Sequence, residues 1–130
     1  MINQRKFGVW MDSEHATIVR TVDHKPGALE IIAHINREEV AATPLNKYEN
    51  KQKKMLQLKF FKEIATHLEN PTHLHATGTG QVQEQFLRYL AETPQFNKTI
   101  MEESTASRMS DERLMEYFEE KFKLKAASHL

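Results

Sequence analysis

The sequence predicts an α/β domain built on one mixed sheet, and three observations lead there. β-rich runs at residues 7–11, 16–22 and 28–35 follow one another across loops of hairpin length. Leu56, Phe60, Phe61, Ile64 and Leu68 then recur at the three, four and seven spacings of an amphipathic helix. In residues 72–90 the apolar period changes from about 2 to about 3.6 across Gly78-Thr79-Gly80, which marks a strand, a tight turn and a helix.

The elements follow in order. Phe7-Gly-Val-Trp-Met11 is a strand that stops at Asp12-Ser13-Glu14-His15, whose short polar side chains bond local backbone groups and favour a turn. The second run carries three β-branched residues in succession, Thr17-Ile18-Val19, and Asp23-His-Lys-Pro-Gly27 turns the chain into the third. Residues 36–47 have no sustained period and form the longest irregular connection. The long core helix runs from about residue 50 to about residue 69 and ends at Asn70-Pro71, because a residue before proline is pushed out of the α region. Val82, Phe86, Leu87 and Leu90 form the apolar face of the next helix, and residues 98–102 read as a short last strand. A polar connection over 103–109 leads to Ser110, an N-cap for a terminal helix with Asp111 and Glu112 in its first turn. Leu114, Met115, Phe118 and Phe122 are its apolar face. The order β-β-β-α-β-α-β-α, with three meandering strands followed by crossovers, is the ribonuclease H-like arrangement with helices on the sheet faces.

The bulk properties narrow the function. The 130 residues fit one domain, 1–130, with residues 1–5 and 126–130 expected to fray. A content of 39% hydrophobic and 28% charged residues is a globular balance. The absence of cysteine excludes a disulfide framework, a thiolate metal site and a cysteine nucleophile. The apolar stretch near the N-terminus falls far short of a signal-peptide core or a membrane span, so the expected setting is the cytoplasm. Basic and acidic residues balance at 18 each, so any nucleic-acid affinity must come from a local patch.

Three stretches carry a resemblance. Phe7-Gly-Val-Trp-Met-Asp12, the strand-turn-helix Ala76-Thr-Gly-Thr-Gly-Gln-Val-Gln-Glu-Gln-Phe86, and Glu102-Glu-Ser-Thr-Ala-Ser107 before a final helix are similar to the middle domain of the archaeal and eukaryotic peptide-chain release factor family. That family includes Pelota and small stand-alone bacterial relatives. The resemblance covers roughly residues 7–122 and implies a component of the translational machinery. In true release factors of this family a Gly-Gly-Gln loop before the long helix supports peptidyl-tRNA hydrolysis. Here the corresponding stretch, Thr43-Pro-Leu-Asn-Lys-Tyr-Glu-Asn-Lys-Gln-Lys-Lys54, has no glycine, so the hydrolytic role is not carried over to Gln52.

Candidate site residues are each weighed against an ordinary role. Lys47, Lys51, Lys53 and Lys54, with Lys59 and Lys62 beyond them, crowd the irregular loop and the long helix, while acids gather in the last helix. A solvated face is the common meaning of such a run; a contact with RNA phosphate is the functional one, favoured by the resemblance. Gly78, Thr79 and Gly80 open a helix whose free N–H groups suit an anion, although a tight turn needing positive φ explains the glycines equally. Asp12, Glu63, His73 and His75, with His34 on another strand, offer ligands for a metal-dependent hydrolase, but the set lacks the converging carboxylates that two-metal chemistry needs. We therefore expect no cofactor and no catalytic residue, with the ribosome or a structured RNA as partner and neither DNA nor membrane. A protein-interaction adaptor, docking through the sheet or the terminal helix, is the remaining alternative.

Overall fold

The computed structural model describes residues 4–23, 25, 27–37 and 49–123. Five strands, β1 (Lys6–Met11), β2 (His15–Thr21), β3 (Leu29–Asn36), β4 (His73–Gly78) and β5 (Ile100–Thr105), form one sheet in the order β3-β2-β1-β4-β5. The β1-β2 and β2-β3 pairs are antiparallel, and β1-β4 and β4-β5 are parallel, so the sheet is mixed as the sequence predicts. Helices α1 (Glu49–Thr66), α2 (Val82–Ala91) and α3 (Asp111–Lys121) complete the expected order, with a short 3-10 turn at Pro94–Phe96.

Alternation along the strands sorts the core into two layers. Phe7, Val9 and Met11 of β1, Ala16 and Ile18 of β2 and Leu74 of β4 pack with Phe60, Phe61 and Ile64 of α1 and Phe86 and Leu90 of α2. Trp10 and Val19 point the other way and are covered by Leu114, Phe118 and Phe122. On β3 the alternation is broken. The register slips between Ile18 and Val19 of β2, so that Ile18 faces Ala33 and Val19 faces Ile31, leaving Ile32 as an extra residue. Leu29 and Ile31 therefore pack toward α3, whereas Ala33 and Ile35 pack toward α1 and α2. The bulge lets one edge strand supply both layers.

Several boundaries differ from expectation. The last strand begins at Ile100 and runs through Thr105, so Glu103, Ser104 and Thr105 belong to the sheet and not to a polar connection. The reason is register: β5 pairs with β4 from His73↔Ile100 to Gly78↔Thr105, and an edge strand tolerates charged residues because it faces water on one side. Helix α1 ends at Thr66, after which single turns bond His67 N–H to Ile64 O and Leu68 N–H to Ala65 O before Asn70 takes φ 49°. Arg5, in the segment expected to fray, is held by Thr72, whose Oγ1 accepts from Arg5 N–H at 2.9 Å. Residues 1–3 and 126–130, and the irregular connection from residue 38 onward to 48, lie outside the described residues. Ser110 caps α3 as predicted, its hydroxyl accepting from Arg113 N–H at 3.2 Å.

Candidate nucleic-acid interface

Helix α1 returns the chain to the start of β4, and α2 departs from the end of β4. Both helices therefore begin at the edge of the sheet where β1 and β4 end, and they run side by side. Gln57 donates to Gln85 at 3.1 Å, and Phe61 meets Phe86 edge-on at 5.3 Å and Tyr89 at 5.8 Å. This brings the first turns of α1, with exposed Lys51, Lys53 and Lys54, to the same edge as the turn 78–80. Lys47 lies outside the described residues.

Lys51, Lys53 and Lys54 follow Glu49 in the first described turns of α1. Backbone dipoles make a helix N-terminus positive, so cations belong in the last turn, and the last turn of α1 holds none. Lys51 falls in the first turn, and Lys53 and Lys54 follow directly. Lys51 and Lys54, three apart, also repel across the helix surface. In α3 the charges follow the rule, with Asp111 and Glu112 in the first turn and Lys121 in the last. The two helices cover opposite faces of the sheet, α1 with an excess of basic residues and α3 with an excess of acidic ones.

The turn 78–80 is built differently from the sequence reading. Positive φ among the described glycines is confined to Gly27, at 86°, so neither Gly78 nor Gly80 is there for a left-handed conformation. Gly78 is required by close approach: a Cβ on it would lie 2.0 Å from the Met11 carbonyl oxygen and 2.8 Å from Gln83 Oε1. Gln83 is fully buried behind the turn, its amide donating to Glu103 Oε2 at 3.1 Å and to the Ser104 carbonyl at 3.2 Å. Thr79 and Gly80 are exposed, and Gln81 makes no side-chain cap, while Glu84 already places a negative charge in the first turn of α2.

A polar cluster missed in the sequence lies beneath α3. His75 Nε2 is 2.7 Å from Ser104 Oγ, which is also 2.6 Å from the Tyr117 hydroxyl and donates to Thr77 Oγ1 at 2.9 Å. The nearest carboxylate to His75 Nδ1, that of Glu102, is 3.8 Å away. Although the order Glu102, His75, Ser104 has the sequence of contacts of a hydrolytic triad, the serine oxygen already has three partners inside the fold. It ties β4, β5 and α3 together. The signal was the alternation of His73, His75 and Thr77 on one strand face; its partner Ser104 was hidden in the stretch read as a connection.

Burial disfavours the imidazolium of His75, and Lys121 adds to this, so the group titrates below its ordinary value despite Glu102 and Glu103. The unfolded chain thus binds a proton at His75 before the folded chain does, and the contribution to stability is full above the ordinary histidine pKa and lost as pH falls through the lowered one. Melting temperature should accordingly fall from pH 7.5 to pH 5.5, and His75→Gln, which keeps a polar group toward Ser104, should flatten that fall; an unchanged pH dependence in the variant would remove His75 as its source.

The metal-ligand candidates are not brought together. Asp12 accepts from Glu14 N–H at 2.8 Å and His15 N–H at 2.6 Å, closing the turn after β1. Burial pushes its carboxyl up, but those donors and the His15 ring outweigh it and hold the group below its ordinary value. Glu63 is exposed on α1, on the far side of the sheet from His73 and His75. His34, expected near them, is separated from β4 by two strands and bonds Asp111 of α3 at 3.0 Å. Among the described residues no three His, Cys, Asp or Glu side chains converge on a common point.

The architecture matches that of translation factors. The structure is similar to the Pelota protein of Thermoplasma acidophilum, with a TM-score of 0.59 and 18% identity over 88% of this chain and 32% of that one. It is similar to Archaeoglobus fulgidus Pelota, with a TM-score of 0.61 and 17% identity over 95% of this chain and 33% of that one. An archaeal translation termination factor matches with a TM-score of 0.57 and 14% identity over 95% of this chain and 41% of that one. The chain thus has the fold of the middle domain of Pelota and the archaeal release factor, and spans about a third of the length of the two Pelota proteins. No protein-family model and no curated protein matches the sequence. Among the described residues no helix is long and apolar enough to cross a membrane.

Proposed function

We propose that this chain is a translation-related module without hydrolytic activity of its own, which docks on the ribosome or a structured RNA through Lys51, Lys53 and Lys54. The turn 78–80, on the same edge of the sheet, is the second contact. The observation that carries this reading is the placement of the cations against the dipole of their own helix. Cations there run against the local helix preference, and departures from local preference concentrate at positions held for function. The likeness in fold to Pelota and to a translation termination factor supports a ribosomal partner, and the glycine-free stretch from Thr43 to Lys54 gives no support for hydrolysis. The reading implies a cytoplasmic setting.

Co-sedimentation with ribosomes at increasing KCl tests it. Three phosphate contacts should give a log–log salt slope of about −2 to −3. The K51E/K53E/K54E variant should fail to pellet at salt where the wild type does. Equal pelleting of the two proteins would remove these lysines as the contact.

A further inference from the structure

On α1 the apolar residues the core uses, Phe60, Phe61 and Ile64, are 0–3% exposed, yet Met55 and Leu58 stand on the opposite side at 67% and 54%. Their places are not random. Lys51, Met55, Leu58 and Lys62 follow at spacings of four, three and four, which puts them on one ridge of the helix with a cation at each end and Lys54 beside it. Phosphate contacts alone give such a ridge no use for apolar side chains.

Resting on the reading of the lysine face above, we infer that this ridge recognises RNA whose bases are unstacked, with Met55 and Leu58 covering the face of an unpaired base while Lys51, Lys54 and Lys62 hold the flanking phosphates. In an A-form duplex the bases are stacked and its major groove is too deep and narrow for side chains, so the apolar pair would meet nothing it can bury against. A loop, bulge or single strand offers both the exposed base face and the closely spaced phosphates. A protein partner fits less well. Two apolar residues between lysines are a small fraction of the roughly 20–30 residues a side that a stable protein interface uses.

The test is fluorescence anisotropy with a labelled RNA of about 12 nucleotides, within the usual site size of single-strand binders, offered alone or annealed to its complement across a range of KCl. The wild type should bind the single strand about tenfold more tightly than the duplex, the effect of burying one or two apolar side chains. The Met55→Gln/Leu58→Gln variant should lose that preference with its salt slope unchanged, and its thermal melt should match the wild type because both side chains face solvent. Lys51→Glu/Lys54→Glu should instead weaken both RNAs and flatten the slope by about two. Equal affinity of the wild type for the two RNAs, or a preference that survives the glutamine pair, overturns the inference and leaves the lysine contact standing. Competition by poly-glutamate as effective as by unlabelled RNA also overturns it, in favour of an acidic protein. No binding of either RNA at low salt overturns the lysine reading itself, and this inference with it.

Discussion

Gly78→Ala should destabilise the protein by about 3–5 kcal/mol, a large share of the 5–15 kcal/mol of a typical domain. The added methyl has nowhere to go. It would sit 2.0 Å from the carbonyl oxygen of Met11, a backbone atom of the neighbouring strand, and 2.8 Å from Gln83 Oε1, whose residue is fully buried. Relief requires β1 and β4 to part at the end of their pairing, where Met11↔Gly78 is the last matched pair. Gly80→Ala is the control two residues away: nothing lies within 4 Å of its added carbon, and its stability should stay within about 0.5 kcal/mol of wild type. Urea unfolding of the two variants distinguishes close approach from turn flexibility as the reason for the paired glycines, since a flexibility requirement would make Gly80 at least as sensitive.

Phe118→Ala should cost about 3–5 kcal/mol, the usual range for truncating a fully buried aromatic. Phe118 is the centre of the layer beneath α3, 5.7 Å from the Phe122 ring, 5.4 Å from Tyr117 and 6.0 Å from His75. Trp10, the sole tryptophan, is 3% exposed in the same layer, and its indole donates to the Ala106 carbonyl at 3.1 Å. Its emission should shift to the red in the variant as α3 loosens. Gly8 explains why the ring fits: a Cβ there would come within 2.6–2.7 Å of the Phe118 ring carbons. Gly8→Ala alone should therefore destabilise by about 1–3 kcal/mol, and in combination with Phe118→Ala should cost less than the sum, because the truncated side chain vacates the space the methyl needs. Strict additivity in that cycle would mean the two residues do not share the site.

Periodicity carried the architecture because it reports which faces are buried. The meander, the long helix over Phe60, Phe61 and Ile64, the strand-turn-helix and the Ser110 cap were all legible that way. What escaped depends on partners distant in the chain. The bulge at Ile32 reverses the faces of β3, and with regular apolar spacing at Leu29, Ile31, Ala33 and Ile35 no local pattern reveals it. The extent of β5 is set by the length of β4 and not by its own polar composition. Gly78 looked like a turn residue, since a sequence shows the absence of a side chain but not the Met11 carbonyl that occupies its place. The lysine cluster was visible as composition, and its place in the first turns of α1 already followed from the helix expected from about residue 50.

That cluster gives the account its most direct test, a thermal melt and ribosome pelleting carried out on the same preparation of the K51E/K53E/K54E variant. Reversing charge at the N-terminal turns of α1 satisfies the dipole while leaving a like-charge pair of the opposite sign at 51 and 54, so the variant should fold and melt close to the wild type. The account predicts that this folded protein no longer pellets with ribosomes. A variant that pellets like the wild type, or one that loses pelleting only because it melts at a lower temperature, would contradict it.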